Sequence, residues 1–307
     1  MDFKVPDRLT CPACGSVEAM ACAFPIRSAT TDGKGALMFD CADCGTGRTV
    51  YTEDLSGCYE EDYYSYSPEG YSSRRKFLKG LMYKYLKFLP RSISHRWLTV
   101  VPPGRTGKVL DVGCGCGNSL DVWKRIGWQT FGTEISEAPA KICVANGHDV
   151  RLSFKPAEAF AGSTFEWITL DNVLEHVEDP GELLAELKTA MTEDSVMTIC
   201  VPNYGGTPSR VFGRYWDAIL PEQHLTHFTR KGLEALIGRC GLRVKATSFQ
   251  PRFHLPTDNV ARFGQPAELE TAQALAQKWK KSAVARLVTG GRMTEADGYF
   301  MTIEATL

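Results

Sequence analysis

An acid stands directly before a glycine-rich turn in Asp111-Val112-Gly113-Cys114-Gly115-Cys116-Gly117, at the end of an apolar run that begins at Lys108. Dinucleotide enzymes use a similar turn to seat a pyrophosphate on a helix N-terminus. Asp111 would repel that group. It suits the ammonium of an amino-acid zwitterion, whose carboxylate and backbone Gly113, Gly115 and Gly117 would admit, and this favours a methionine moiety over a dinucleotide. Glu134 ends the next apolar stretch, Thr130–Thr133, beside the first, where it can accept both hydroxyls of a ribose. That acid supports a nucleoside of either cofactor class.

Four thiols offer a second chemistry. Cys11-Pro12-Ala13-Cys14-Gly15 and Cys41-Ala42-Asp43-Cys44-Gly45 are two knuckles of one shape, separated by 26 residues. In each, the glycine lets backbone amides approach the sulfurs, and two such turns complete the closed tetrahedral shell of structural Zn2+. Four thiolates leave no position for water, so Cys11, Cys14, Cys41 and Cys44 are expected to hold structure rather than turn over substrate. Cys22 and Cys58 fit neither knuckle.

These residues need strands and helices to position them. After Pro102-Pro103-Gly104 short apolar runs alternate with helical patterns, the signature of a doubly wound, mostly parallel α/β sheet covered on both faces. Strands are expected at Lys108–Val112, Gln129–Glu134, Val150–Ser153, Trp167–Asp171 and Ser195–Val201. Helices are expected at Ser119–Ile126, Ala138–Asn146, Gly181–Met191 and Arg230–Cys240, with Arg243–Gln250 and Tyr299–Thr306 as closing strands of a seven-stranded, Rossmann-like sheet. Three parts follow: a zinc ribbon over 1–57, a linker with a basic amphipathic helix over 58–104, and the α/β domain over 105–307. Residues 72–97 carry eight Lys and Arg and no acid. Their apolar residues recur every three to four positions and end before Pro90, which suits packing on the α/β domain, with peripheral membrane or phosphate contact as the alternative. Tyr63, Tyr64 and Tyr66, with Trp216, would either close over a substrate or pack the ribbon against its neighbour.

The segments Asp111-Val-Gly-Cys-Gly-Cys-Gly, Glu134, Leu170-Asp171-Asn172-Val173-Leu174-Glu175-His176 and Val201-Pro202-Asn203 together resemble the class I S-adenosylmethionine-dependent methyltransferases. The resemblance runs from about Lys108 to Gly241. It implies that S-adenosylmethionine is the methyl donor, that Leu170 and Asp171 line its methionine side, and that Ala157 and Glu158 border its adenine. Pro156 stands where many members carry an Asp for the adenine amino group. In a segment similar to 172–176, quinone O-methyltransferases carry a metal-binding carboxylate where this chain has Asn172, which argues against a catalytic metal there.

Methyl transfer from a sulfonium needs an aligned nucleophile and, where that nucleophile is protonated, a base. His224 and His227, in Gln223-His224-Leu225-Thr226-His227-Phe228-Thr229, are the candidates for that base, each weighed against a structural role. The stretch is similar to the His-Leu-x-x-Phe-Ser/Thr segment of methyltransferases acting on sugars and other small metabolites, some of which contain zinc. In the zinc-containing sugar enzymes a Glu-His pair takes the proton; here Gln223 precedes His224. A small-molecule acceptor is expected, a sugar or glycan precursor ahead of a lipid or quinone.

An RNA methyltransferase gripping its substrate through ribbon and basic helix is the runner-up. The net charge of −1 and the lack of an Asn-Pro-Pro-Tyr motif argue against nucleic acid. A non-catalytic, cofactor-binding scaffold is the third reading. Residues 1–10 lack the apolar core of a secretory signal, and no uncharged apolar run approaches the roughly 20 residues needed to span a bilayer. A cytoplasmic enzyme with reduced thiols is the expectation, and no oligomeric state follows from the sequence.

Overall fold

The computed structural model describes residues 9–17, 20–27, 35–51, 105–221, 223–250, 270–271, 273–274, 277–279, 281 and 294–307. The expected linker and basic helix, with Tyr63, Tyr64 and Tyr66, lie outside the described residues. Two compact units are present, one drawn from Met1–Glu61, Asn172–Ala185 and Ile199–Ala305, the other from Asp62–Asp171, Glu186–Thr198 and Thr306–Leu307.

The second unit holds β4 (Lys108–Val112), α1 (Asn118–Arg125), β5 (Gln129–Glu134), α2 (Glu137–Ala145), β6 (Asp149–Leu152), the one-turn α3 (Pro156–Ala159) and β7 (Trp167–Asp171). β4 pairs in parallel with β5 on one side and β7 on the other, and β5 pairs in parallel with β6. The chain therefore steps outward from β4 to β6 and returns to β4's other edge. That reversal is the switch point beside which doubly wound sheets bind their ligands, at the carboxyl ends of the strands. Beneath it Trp123, Trp128 and Trp167 pack with ring centroids 4.9, 5.6 and 6.2 Å apart, together with Val109 and Val196. Trp167 Nε1 donates to Thr198 Oγ1 at 2.9 Å, so the indole's one polar atom is satisfied inside this core.

The first unit contains β1 (Met20–Arg27), β2 (Gly35–Cys41) and β3 (Gly47–Tyr51), then a one-turn 3₁₀ helix (Leu174–His176), α5 (Thr207–Phe212), β9 (Thr226–His227), α6 (Arg230–Arg239) and β10 (Arg243–Gln250). α4 (Pro180–Lys188), β8 (Val196–Pro202) and β11 (Phe300–Thr306) complete the elements. A four-stranded sheet has the order β1-β2-β3-β9; a seven-stranded, mostly parallel one has the order β10-β11-β8-β7-β4-β5-β6. The doubly wound α/β class read from the sequence is the observed one.

Most element boundaries fall within one residue of expectation. α4 stops at Lys188, three residues short of the expected Met191. Thr189, Ala190 and Met191 instead bond to carbonyls three residues back, and the Thr189 hydroxyl also takes Glu186 O at 2.7 Å, which tightens the chain out of the α-helical ladder.

β2 shares a core with the later half of its own unit: Ala36 and Met38 pack with Phe212, Trp216, Ile219 and Tyr299. Trp216 is thus a packing residue. α6 also docks on the second knuckle. Its cap residue Thr229 accepts from Gly232 N at 3.1 Å and donates to Cys44 O at 2.6 Å, while Lys231 Nζ donates to Asp43 O. A Cβ at Gly232 would land on Thr46 Oγ1. Alanine gains up to about 1 kcal/mol of helix propensity over glycine, but overpacking costs about 1–3 kcal/mol. Gly232→Ala is therefore expected to lower the unfolding midpoint in denaturant, and a raised midpoint would refute the close approach.

Candidate functional site

The turn after β4 runs through Gly113, Gly115 and Gly117 at φ of 64°, 52° and 77°, values that side-chain-bearing residues resist, so the sequence spends glycines where the backbone must double back. The turn is braced from two sides. Cys143 Sγ on α2 donates to Gly115 O at 3.1 Å, and Gly115 N donates to Glu134 Oε2 at 2.8 Å. Glu134 Oε1 accepts from Ile135 N and Ser136 N at 2.8 and 3.0 Å. A carboxylate has about four lone-pair sites. Three are taken by amides, so Glu134 has room for one ribose hydroxyl without displacing a backbone partner, where its position in the sequence suggests two.

Asp111 is buried at the end of β4, and its carboxyl is held well above the ordinary range by burial first, then by the charges of Asp171, Cys143 and Glu134. Acids set together in a dry place call for a cation, and an ammonium group meets that demand. The remaining expected contacts are less uniform. Leu170 is wholly buried, whereas Asp171 at the strand end is half-buried. Ala157 N already donates to Glu186 Oε1 at 2.8 Å, and Glu158 is exposed and paired with Lys155 at 2.9 Å.

In the first unit the two knuckles repeat one geometry. Gly15 N donates to Cys11 O at 2.9 Å and Gly45 N to Cys41 O at 2.7 Å, with both glycines at positive φ. They bring Cys11 Sγ to 3.6 Å from Cys44 Sγ and Cys14 Sγ to 3.6 Å from Cys41 Sγ, and all four sulfurs lie within 4.8 Å of one another. Zn–S bonds of about 2.3 Å in a tetrahedron place sulfurs about 3.8 Å apart, so the donor set fits Zn2+. The hydrogen bond from Cys11 lowers the Cys44 thiol to about 4, while Cys44 and burial push Cys11 up.

His224 lies in the loop leading into β9 and His227 in β9 itself, where β3 reaches them. β9 pairs antiparallel with β3, Thr49 N donates to Leu225 O at 3.0 Å, and Thr49 Oγ1 lies 2.9 Å from His227 Nε2. Burial lowers His227 to about 3. His224 Nδ1 donates to Ala218 O at 2.7 Å, which leaves the lone pair on Nε2. Burial, then His176 and His227, hold His224 well below the usual imidazole range, so both rings are neutral near pH 7. What the sequence did not bring together is Glu175 and His176 with His224. The His176 ring meets the His224 ring edge-on at 4.6 Å between centroids, and Glu175 is buried beside them. The adjacent Glu-His pair was the available signal, but nothing in its spacing points to a loop almost fifty residues away.

Residues 85–247, more than half of the chain, match the family described as "Methyltransferase domain". The chain belongs to this methyltransferase family. With the family comes its methyl donor, S-adenosylmethionine. The methyltransferase is 32% identical over 97 residues to the ubiquinone biosynthesis O-methyltransferase of Thiobacillus denitrificans, covering 29% of this chain and 42% of that protein. It is 25% identical over 184 residues to the enzyme of the same name from Aromatoleum aromaticum, covering 57% and 70%. The chain spans 42, 37 and 43% of the length of three such relatives matched at 30% identity or above. Among solved structures it is similar to a SAM dependent methyltransferase from Archaeoglobus fulgidus, with 18% identity, TM-score 0.47 and coverage of 83% and 100%. It is also similar to a TehB-like SAM-dependent methyltransferase from Corynebacterium glutamicum, with 14% identity, TM-score 0.43 and coverage of 76% and 99%. No helix among the described residues is long and apolar enough to cross a membrane.

Proposed function

We propose that the protein transfers the methyl group of S-adenosylmethionine to a small-molecule acceptor, a sugar or glycan precursor ahead of a quinone precursor or lipid. The observation that carries the donor half is the set Asp111, Asp171 and Glu134 around a turn of positive-φ glycines, where the methionine ammonium and a ribose hydroxyl find acids and the carboxylate finds backbone amides. In this reading Asp111, Gly113, Gly115, Gly117, Glu134, Leu170 and Asp171 hold the donor, with Ala157 and Glu158 at its adenine edge. Cys11, Cys14, Cys41 and Cys44 hold a structural zinc in a ribbon over 1–57. A linker and basic helix over 58–104 join it to the catalytic domain over 105–307. His224, neutral and with its lone pair on Nε2, serves the acceptor's proton, and His227, seated on Thr49, steadies the loop.

A second acceptor class has a specific observation behind it, because the curated relatives carry the name ubiquinone biosynthesis O-methyltransferase. Purified protein given methyl-labelled S-adenosylmethionine and separated host metabolites, lipids and RNA distinguishes the possibilities. Label is expected in the soluble metabolite fraction. Label in the lipid fraction moves the assignment to a quinone-type acceptor, and label confined to RNA overturns the small-molecule reading. No label in any fraction despite bound cofactor would favour a non-catalytic scaffold.

A further inference from the structure

Three paired residues form a row across the four-stranded sheet. Asp40 on β2 stands opposite Gly47 on β3, which stands opposite His227 on β9. Directly paired residues point to one face of a sheet, so Asp40 and His227 flank the gap that Gly47 leaves. Tyr204, in the loop after β8, fills that gap. Its ring lies 5.6 Å from the His227 ring between centroids, its hydroxyl donates to Asp40 Oδ1 at 3.0 Å, and a Cβ at Gly47 would stand only 3.1 Å from Tyr204 Cε1. The backbone is pinned at the same place, because Tyr204 N donates to Phe228 O at 3.0 Å. His227 passes the restraint on, since its ring donates to the backbone carbonyl of His224.

We propose that Asp40, acting through Tyr204, fixes the ring of His227 and thereby the backbone that carries His224, so that β2 supplies a positioning residue for methyl transfer. Two restraints then meet on one imidazole. Thr49 Oγ1, 2.9 Å from Nε2, holds a ring nitrogen, and Tyr204 holds the tilt of the ring plane. Burial, then Asp40, raises the Tyr204 phenol, so the phenol stays the donor of the bond between them. Burial also raises the Asp40 carboxyl, and the bond from Tyr204 opposes that rise. A phenylalanine would fill the gap over Gly47 as well as a tyrosine does. The hydroxyl and its carboxylate are therefore what separate Tyr204 from a packing residue. The consequence for turnover rests on the reading of His224 as the group that serves the acceptor's proton; the effect on His227 does not.

The test is nitrogen-15 NMR of the histidine rings in the full chain, with turnover measured alongside from methyl-labelled S-adenosylmethionine and the soluble metabolite fraction of the host. Tyr204→Phe and Asp40→Ala are each expected to move the His227 ring signals and to lower turnover about ten- to a hundredfold, the scale of loss when a reacting group is slightly misplaced. The double variant should do no further harm, because the two residues act through one bond. Asp40→Asn keeps an oxygen in place for the Tyr204 hydroxyl and should retain the His227 signals and most of the turnover. His148, held in the other unit by Thr130 at 2.8 Å and Asp121 at 3.2 Å, should keep its signals in every variant. His227 signals unmoved in both Tyr204→Phe and Asp40→Ala overturn the bridge, as does an Asp40→Asn protein that matches Asp40→Ala in both readouts. Moved signals with turnover at the parent level overturn its part in methyl transfer. If the unaltered protein labels no fraction, the methyl-transfer reading fails by itself, and the His227 signals still decide the bridge.

Discussion

Asp111→Asn is expected to weaken binding of S-adenosylmethionine at least 100-fold and, in the same protein, to raise the melting temperature of the cofactor-free form by several degrees. The two effects have one cause. Asp111 is buried next to Asp171 and Glu134, and burial, followed by those charges and Cys143, raises its carboxyl in the folded state. The sign follows from linkage. Below the ordinary carboxylate range of about 4, folded and unfolded chains both hold the proton and no penalty exists. As the pH rises above that, the unfolded chain releases its proton first. Stability then falls by up to about 1.4 kcal/mol per pH unit until the raised folded value is passed, and stays reduced beyond it. Asparagine cannot ionise and escapes the penalty, so the variant's stability should lose this part of the decline. The methionine ammonium would repay the same penalty on binding, and a hydrogen bond between charged groups contributes about 1.5–3 kcal/mol before the amide's mismatch with a cation is counted. Calorimetric titration with S-adenosylmethionine and thermal scans from pH 4 to 8 measure both arms. Unchanged affinity would remove Asp111 from the donor site, and a lower melting temperature would show that its charge stabilises the fold.

The strand-turn-strand frame that carries Asp111 and Glu134 was legible because both acids are local to a strand end. β4, the glycine turn and β5 follow one another within 27 residues, so apolar runs and the placement of Asp111 and Glu134 were enough to foresee them. Short elements were not legible. α3 has four residues and β9 two, too few for any period to show, and both are set by contacts made elsewhere: Glu186 with the Ala157 amide, and β3 with β9. The ribbon cysteines were readable from two matched knuckles. The strands between them went unread, although an Asp32-Gly33 dipeptide, a hairpin signal, stands between the residues of β1 and those of β2. His224 could be singled out as a histidine but not placed. Its tautomer depends on the carbonyl of Ala218 and its neighbours on the turn at Leu174–His176, relations of tertiary structure that no spacing encodes.

The same tertiary coupling gives the ribbon its consequence for the histidine loop. On the proposal that the four cysteines hold a structural zinc, Cys44→Ser is expected to lower the melting temperature by roughly 10 °C or more, since closing such a site contributes several kcal/mol or more to folding and each kcal/mol moves a domain of this size by about 2–4 °C. The damage should spread along defined bonds. Cys44 O accepts from Thr229, the cap of α6; Arg239 Nη1 reaches Ala13 O in the other knuckle at 2.8 Å; and β3 holds β9 through Gly47–His227 and Arg48–Thr226. If the four cysteines hold the proposed zinc, its loss should free His227 from Thr49, now 2.9 Å away, and cost the segment carrying His224 its register. Methyl transfer should therefore fall at least tenfold, while the affinity for S-adenosylhomocysteine, which the proposed donor site assigns to residues such as Asp111 and Glu134, should change less than threefold. Cys22→Ser serves as the control, because that thiol is exposed on β1 outside the cluster and should change neither quantity. A Cys44→Ser protein that melts with the parent, or that loses cofactor affinity in step with turnover, would show that the ribbon acts by some route other than the bonds to β9 and α6.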